Sequence, residues 1–288
     1  MIEFRCESVT SCAGYMLIPF CGSDVRLNKP ESSRPRPLDS IYDVSVVIPV
    51  FNEQNRIGPT LAAANEFFAS RAIRAEIIIA DDGSSDDTVR IATEFAANHS
   101  NISILELVHG GKAKAVLAGL RQSASPIAGF TDVDLATPLA TWDRCAMAFD
   151  DGSDVAIASR EGVGAKRIGE PGYRHFMGRV FNGLVRGLLL PGIHDTQCGF
   201  KFFTRAALDD ILPRCHLYRE TDVVTRPRVT AFDVEVLYIA RVHHYRIAVV
   251  PVTWVYGEQS KVNPITDTLQ NFRDVLMVRW YGWRRRYI

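Results

Sequence analysis

Between residues 44 and 134, short β-branched runs alternate with stretches of helical spacing, and that alternation leaves few folds open. Ser45-Val46-Val47-Ile48-Pro49-Val50 reads as a buried strand, and residues 61–72 carry helical apolar spacing. Glu76-Ile77-Ile78-Ile79-Ala80 is a second buried strand. Asp86-Asp87-Thr88 opens a helix that runs to residue 98, its acidic residues placed where the helix dipole favours them. Residues 102–107 predict a third strand, 113–123 a helix, and 127–131 a fourth strand. This rhythm implies parallel strands joined by right-handed crossovers. The expected class is α/β: a Rossmann-like, mostly parallel sheet flanked by helices. Ligands of such sheets sit outside the carboxyl ends of the strands. Every polar cluster in this half falls at such an end.

Beyond Asp134 the pattern is less regular. Residues 154–159 and 247–252 read as strands, 174–190 as an amphipathic helix with Arg174, Arg179 and Arg186, and 234–240 as a helix. No linker interrupts residues 41–288, which predicts a single domain. Residues 1–40 stand apart: 23–40 are rich in Pro, Arg, Ser and Asp without a sustained period, and read as a tail or linker. The formal net charge of zero gives no global pull toward nucleic acid. No run approaches the ~18 apolar residues of a spanning helix, and no secretory signal is visible, so the expected location is cytoplasmic and at most peripheral to a membrane. The six cysteines (Cys6, Cys12, Cys21, Cys145, Cys198, Cys215) form no C-x-x-C pair, which argues against zinc and for reduced thiols.

The fourth strand ends on Asp132-Val133-Asp134. Two carboxylates one residue apart at a strand-to-loop corner suit a hard divalent cation, Mg²⁺ or Mn²⁺, shared with a substrate's phosphates. After the first strand come Pro49-Val50-Phe51-Asn52-Glu53, and after the second Asp81-Asp82-Gly83-Ser84-Ser85-Asp86-Asp87-Thr88. Asp82 can accept a base N–H or a ribose hydroxyl, and Gly83 permits close backbone approach. Helix capping explains residues 84–88 as well as ligand binding does, but not the adjacent charges of Asp81 and Asp82. His109-Gly110-Gly111-Lys112 follows the third strand. It is not a P-loop; a Gly pair followed by Lys can approach a pyrophosphate or shape a base pocket, but taken alone the block reads as a turn and helix start.

In order and spacing, these blocks resemble the inverting family-2 glycosyltransferases of GT-A fold. Downstream, Asp195-Thr196-Gln197-Cys198-Gly199-Phe200-Lys201-Phe202-Phe203 and Ala231-Phe232-Asp233-Val234-Glu235-Val236-Leu237-Tyr238-Ile239-Ala240 resemble the dolichyl-phosphate β-glucosyltransferases and, more loosely, the mannosyltransferases. The likeness runs from residue 44 to residue 261. It implies hexose transfer, glucose first, from a UDP-sugar to a polyprenyl or dolichyl phosphate. Asp82 would hold the base, with Pro49, Asn52, Glu53, Asp81 and Gly83 around base and ribose, and Gly111 and Lys112 beside them. Asp132 and Asp134 would face ribose and metal, Asp134 as main ligand. The loop from Asp195 through Gln197 to Lys201 would lie beside donor sugar and acceptor phosphate, which Arg160 and Arg174 would meet. Asp233 would sit near the acceptor, as base or as an orienting group.

The chemistry must bring two anions together, so Arg160, Arg174 and Lys201 are the candidate phosphate cations, although Arg174 fits a solvated helix face equally well. Three features depart from the relatives. Ala136 stands where mannosyltransferases keep a polar residue. No N-terminal membrane helix is present. Residues 213–230 are unusually charged and read as a loop near the acceptor or a solvated insertion. Trp280, Tyr281, Trp283 and Tyr287, among Arg279, Arg284, Arg285 and Arg286, suit either a membrane interface or a helix packed on the core. Two other functions stay open: transfer to a soluble hydroxyl acceptor, and a silent nucleotide-sugar-binding subunit.

Overall fold

The structure, a computed structural model, describes residues 14–18, 40–218, 231–256 and 264–288, with backbone alone over 264–269. In chain order the strands are β1 (Met16–Leu17), β2 (Val44–Val50), β3 (Ala75–Asp81), β4 (Ile102–Glu106), β5 (Ile127–Thr131), β6 (Val155–Ser159), β7 (Lys166–Ile168), β8 (Phe200–Thr204), β9 (Ile247–Pro251) and β10 (Thr253–Val255). The helices are α1 (Ile57–Ser70), α2 (Thr88–Ala96), α3 (Lys112–Gln122), α4 (Thr141–Asp150), α5 (Gly172–Leu188), α6 (Arg205–Ile211), α7 (Phe232–Val242) and α8 (Pro264–Trp283).

One sheet runs β1-β9-β6-β8-β5-β2-β3-β4. β2, β3, β4 and β5 are mutually parallel, and β6 and β9 share their direction, because β8 is antiparallel to both β5 and β6. β7 and β10 form a separate parallel ribbon. Every residue of β2 is buried, as expected of a strand covered on both faces. Alternation sends Val47 and Ile78 into the layer of α3, α5, α6, α7 and α8, and Val46, Ile48, Ile77 and Ile79 into the layer of α1 and α4. Each such side chain contributes about 1.5–3 kcal/mol of burial. Pro49 is tolerated in this central strand because it lies past the last β5 pair, Val47↔Phe130, where no ladder bond toward β5 is asked of it.

The structure corrects two expectations. Residues 14–18 are not tail: Tyr15 is buried with its hydroxyl on the Asp151 carboxylate, and Met16–Leu17 adds an antiparallel edge to β9. The block from Asp195 to Lys201 is not all loop either, because its end enters β8 between β5 and β6. Glycine makes that insertion possible, since a Cβ at Gly129 would overlap the Lys201 carbonyl and the Phe202 ring. Of the charged stretch 213–230, residues 219–230 lie outside the described residues, as do most of residues 1–40 and Cys6, Cys12 and Cys21. Cys145, Cys198 and Cys215 are buried free thiols. Among the described residues no helix is long and apolar enough to cross a membrane.

Candidate active site

The carboxyl ends of β2 and β3 are laced together by side chains. Asn52, at φ 53°, donates its N–H to Ser84 Oγ (2.9 Å) and accepts from the Ser85 N–H on Oδ1 (2.8 Å). Glu53 N–H reaches Thr88 Oγ1 (2.8 Å), and Asp86 Oδ1 accepts the Thr88 N–H (3.0 Å). Capping and bracing thus account for Asn52 and residues 84–88. Glu53 also pairs with Arg56 (3.0 Å).

The twin aspartates behave differently from each other. Both Asp82 oxygens are engaged: Oδ1 accepts from Gly110 (2.7 Å) and Gly111 (3.0 Å), Oδ2 from Gly111 (2.8 Å), and His109 Nδ1 lies 2.8 Å from Oδ2. Asp81 Oδ2 accepts the Gly83 and Ser84 N–H groups (3.1 and 3.0 Å), while its Oδ1 is buried without a hydrogen-bond partner. The acceptor left over at this strand end is on Asp81, whereas the sequence pointed to Asp82. Gly83 (φ 77°) and Gly111 (φ 90°) adopt backbone that only glycine holds cheaply. His109 stacks on Phe51 with centroids 4.4 Å apart, an aromatic wall that sequence reasoning had passed over.

Asp132 and Asp134 stand on the turn after β5, where Leu135 takes φ 49° and Ala136 N–H donates to Asp134 Oδ1 (3.0 Å). The Ala136 carbonyl accepts Val255 N–H from β10 (3.1 Å). Asp132 pairs with the Lys112 ammonium. It also lies so close over Gly199 that a Cβ there would overlap its carboxylate. Burial, then the neighbouring Asp132 charge, raises the Asp134 pKa. Burial opposes the Lys112 charge, but Asp132, Asp233 and Asp134 outweigh it and its pKa is raised.

Beyond β5, two of the three expected phosphate cations, Arg160 and Lys201, already have a carboxylate. Arg160 grips Asp195 in a fork, Nε–Oδ2 and Nη2–Oδ1 both 2.8 Å, and its N–H adds a third bond to Oδ2 (2.8 Å). Burial opposes the Asp195 charge, yet Arg160 holds its pKa well below the usual carboxylate range. Lys201 Nζ lies 2.7 Å from Asp233 Oδ1 and 2.5 Å from the Cys198 carbonyl. Burial raises the Asp233 pKa against the pull of Lys201. The side chains of Lys201, Arg160 and Lys112 are 1%, 16% and 43% exposed, so Lys112 is the accessible cation of the three. Arg174, on the first turn of α5, lies 5.4 Å over the Tyr256 ring. Gln197 donates its N–H to Asp195 Oδ1 (3.2 Å), and its buried Nε2 has no hydrogen-bond partner.

Asp132 and Asp134 fit a divalent cation. They are hard oxygen donors, and a cation would offset the burial and the Asp132 charge that together raise the Asp134 pKa. No cluster of three or more His, Cys, Asp or Glu donors exists among the described residues, so a substrate's phosphates and water would complete the shell. Sequence reasoning missed Glu235, which α7 buries two residues past Asp233. It accepts from His216 N–H (2.7 Å), Leu217 N–H (3.0 Å) and the Tyr287 hydroxyl (2.8 Å). Its periodicity, alone among the apolar residues of 234–240, was the available signal.

The model of glycosyl transferase family 2 matches residues 45–212. A dolichyl-phosphate β-glucosyltransferase of Dictyostelium discoideum is 33% identical over 85% of this chain and 76% of the relative. The Homo sapiens protein of the same name is 32% identical over 84% and 78%. Among solved structures, glucosyl-3-phosphoglycerate synthase from Mycobacterium tuberculosis in complex with UDP superimposes with TM-score 0.59 at 17% identity, covering 83% of this chain and 80% of that one. A Pyrobaculum calidifontis mannosyltransferase in complex with GDP-Man and Mn²⁺ gives 0.54 at 19% identity, covering 87% and 68%. At these identities the solved structures speak to the fold alone.

Proposed function

The chain belongs to glycosyl transferase family 2 and has the GT-A fold, and from that premise we propose that it transfers a hexose, glucose first, from UDP-sugar to a dolichyl or other polyprenyl phosphate. The name borne by its relatives of 32–33% identity supports that acceptor and that sugar. The observation that carries the donor side is a set of acceptor oxygens at the carboxyl ends of two strands that flank β2: Asp81 Oδ1, without a hydrogen-bond partner at the end of β3, and the Asp132–Asp134 pair after β5.

In this reading Asp81 Oδ1 accepts the imide N–H of uracil, and Phe51 and His109 wall the base. A phosphate oxygen of the acceptor attacks the anomeric carbon from the face opposite the diphosphate. The bond from that carbon to the β-phosphate oxygen breaks, its electron pair leaves on UDP, and the configuration inverts. Mg²⁺ or Mn²⁺, held by Asp134 with Asp132, would supply charge neutralisation for the departing diphosphate. The nucleophile is already anionic and needs no base, so Asp233 orients Lys201 rather than taking a proton. Lys112 and Arg174 meet the acceptor phosphate. Arg160 and Lys201, neutralised in the protein by Asp195 and Asp233, hold the loop that carries Gly199 under Asp132.

The test is incubation of purified protein with labelled UDP-glucose, Mn²⁺ and dolichyl phosphate in detergent. Labelled lipid is the expected outcome. GDP-mannose run in parallel identifies the donor. Failure of every sugar nucleotide to label the lipid, with turnover on a soluble hydroxyl acceptor instead, overturns the acceptor assignment.

A further inference from the structure

The exposed face of α8 is not used by the site. Phe272, Leu276, Trp280 and Trp283 recur at helical spacing along it and are 43%, 46%, 45% and 72% exposed. Arg273, Arg279 and the turn Arg284-Arg285-Arg286 are exposed around this stripe. Within residues 272–286 the acidic residue, Asp274, is buried and bonded to the Tyr218 hydroxyl, so it does not offset them. In a chain of zero net charge, this is a local concentration of positive charge beside apolar surface. The guanidinium groups of Arg284 and Arg286 lie 5.2 and 5.7 Å over the Trp280 ring, which fixes charge beside indole. The turn itself is held rigidly. Tyr287 is buried on Glu235 (2.8 Å), its carbonyl meets His243 Nε2 (2.5 Å), and the Arg286 carbonyl meets His216 Nε2 (3.2 Å).

We propose that this face of α8 docks on an anionic lipid surface, with Trp280 and Trp283 seated at headgroup depth and the arginine turn against phosphate. An apolar helical stripe edged by Trp and Arg has the composition of an interfacial helix. Its uniform positive rim disfavours a second copy, which would bring like charges together in a two-fold contact. The apolar stripe distinguishes it from a nucleic-acid surface, where phosphate-binding arginines need no such neighbour. Tyr281, half-buried, and Tyr287, buried, pack inward, so of the C-terminal aromatics the two tryptophans face the lipid. The proposal gives the lipid acceptor of the previous subsection a surface to be drawn from, but stands on independent observations.

The test is flotation of the full chain with vesicles of phosphatidylcholine alone and with about one third phosphatidylglycerol, both free of polyprenyl phosphate. The expected outcome is binding to the anionic vesicles that weakens as salt rises. It should fall at least tenfold in Trp280→Glu/Trp283→Glu and in Arg284→Gln/Arg285→Gln/Arg286→Gln, and persist in the control Ile41→Glu. Matched thermal midpoints establish that the variants are folded. No binding, equal binding to neutral vesicles, or binding indifferent to these substitutions overturns the proposal. So does a dimer by light scattering that the tryptophan variant dissociates, or binding to a DNA duplex tighter than to vesicles. Because the vesicles lack acceptor, a failure here leaves the detergent assay of sugar transfer untouched, and the reverse holds as well.

Discussion

The two halves of the site hold their carboxylates by different means. At the end of β3, Asp81 and Asp82 are held mainly by backbone N–H groups of Gly83, Ser84, Gly110 and Gly111, with the His109 ring beside Asp82. Backbone donors fix a carboxylate without bringing a mobile countercharge, and one Asp81 oxygen is left without a hydrogen-bond partner. Beyond β5 the carboxylates Asp195 and Asp233 are held by Arg160 and Lys201, so charge is matched within the protein. The first half leaves an acceptor oxygen unpaired, whereas the second is neutralised within the protein. Between them stands Asp132–Asp134, with Lys112 as its accessible cation.

Four substitutions would break or sharpen this contrast. The largest effect is expected from Asp134→Ala. Among the described residues its carboxylate accepts a hydrogen bond from the Ala136 N–H alone, so folding should survive while transfer falls about a thousandfold, the several kcal/mol a metal supplies to a leaving diphosphate. Rates of labelled-lipid formation, with Mn²⁺-dependent thermal shifts, measure it. An unchanged rate would move the reaction centre away from β5. Next, Asp195→Ala should lower stability by about 3–5 kcal/mol, since it strands a largely buried guanidinium. Urea denaturation reports this, and Arg160→Met added to it should restore part of the loss. A cost under about 1 kcal/mol would mean that Arg160 finds another anion and is not committed to holding shape.

Third comes the pH dependence of stability at Glu235, whose carboxyl burial pushes up to about 7 despite its hydrogen bonds. The folded state then keeps a proton that the unfolded chain releases. The contribution is complete below the unfolded value of 4.5 and is lost as pH rises through about 7, a change on the order of 3 kcal/mol. The stability difference between the wild type and Glu235→Gln should therefore shift against the wild type from pH 4.5 to 7.5, and a flat difference would assign the carboxyl an ordinary pKa. The smallest effect is Gly199→Ala. The new methyl must push the Asp132 carboxylate aside, which should cost roughly tenfold in turnover and about 1–3 kcal/mol in stability. Full activity would mean that Asp132 can leave its seat freely.

Much of this architecture was legible before any coordinates. Val46–Val50, Ile77–Ala80 and Ile127–Phe130 are continuous apolar runs because parallel strands are covered on both faces. β8 was not legible: it puts Lys201 in mid-strand, and a buried ammonium breaks the apolar signal that marks a covered strand. Asp81 and Asp82 could not be told apart, since adjacent strand residues point to opposite faces and composition does not say which face is open. The Arg160–Asp195 fork joins residues 35 apart in the chain, and only the pairing of β6 with β8 brings them together. The C-terminal aromatics carried one composition but two environments, Tyr287 inward and Trp283 outward.

The first turn of α7 has a mechanical consequence. Asp233 and Glu235 are two positions apart, about 200° around the helix, so they point to nearly opposite sides. One clamps Lys201 and the other clamps the terminal arm through Tyr287. A short, stiff spindle therefore connects the chain's last turn to the Lys201–Asp233 pair beside β8. Any torque delivered where the arginine turn meets its surroundings has less than one helical turn to travel before it reaches Lys201.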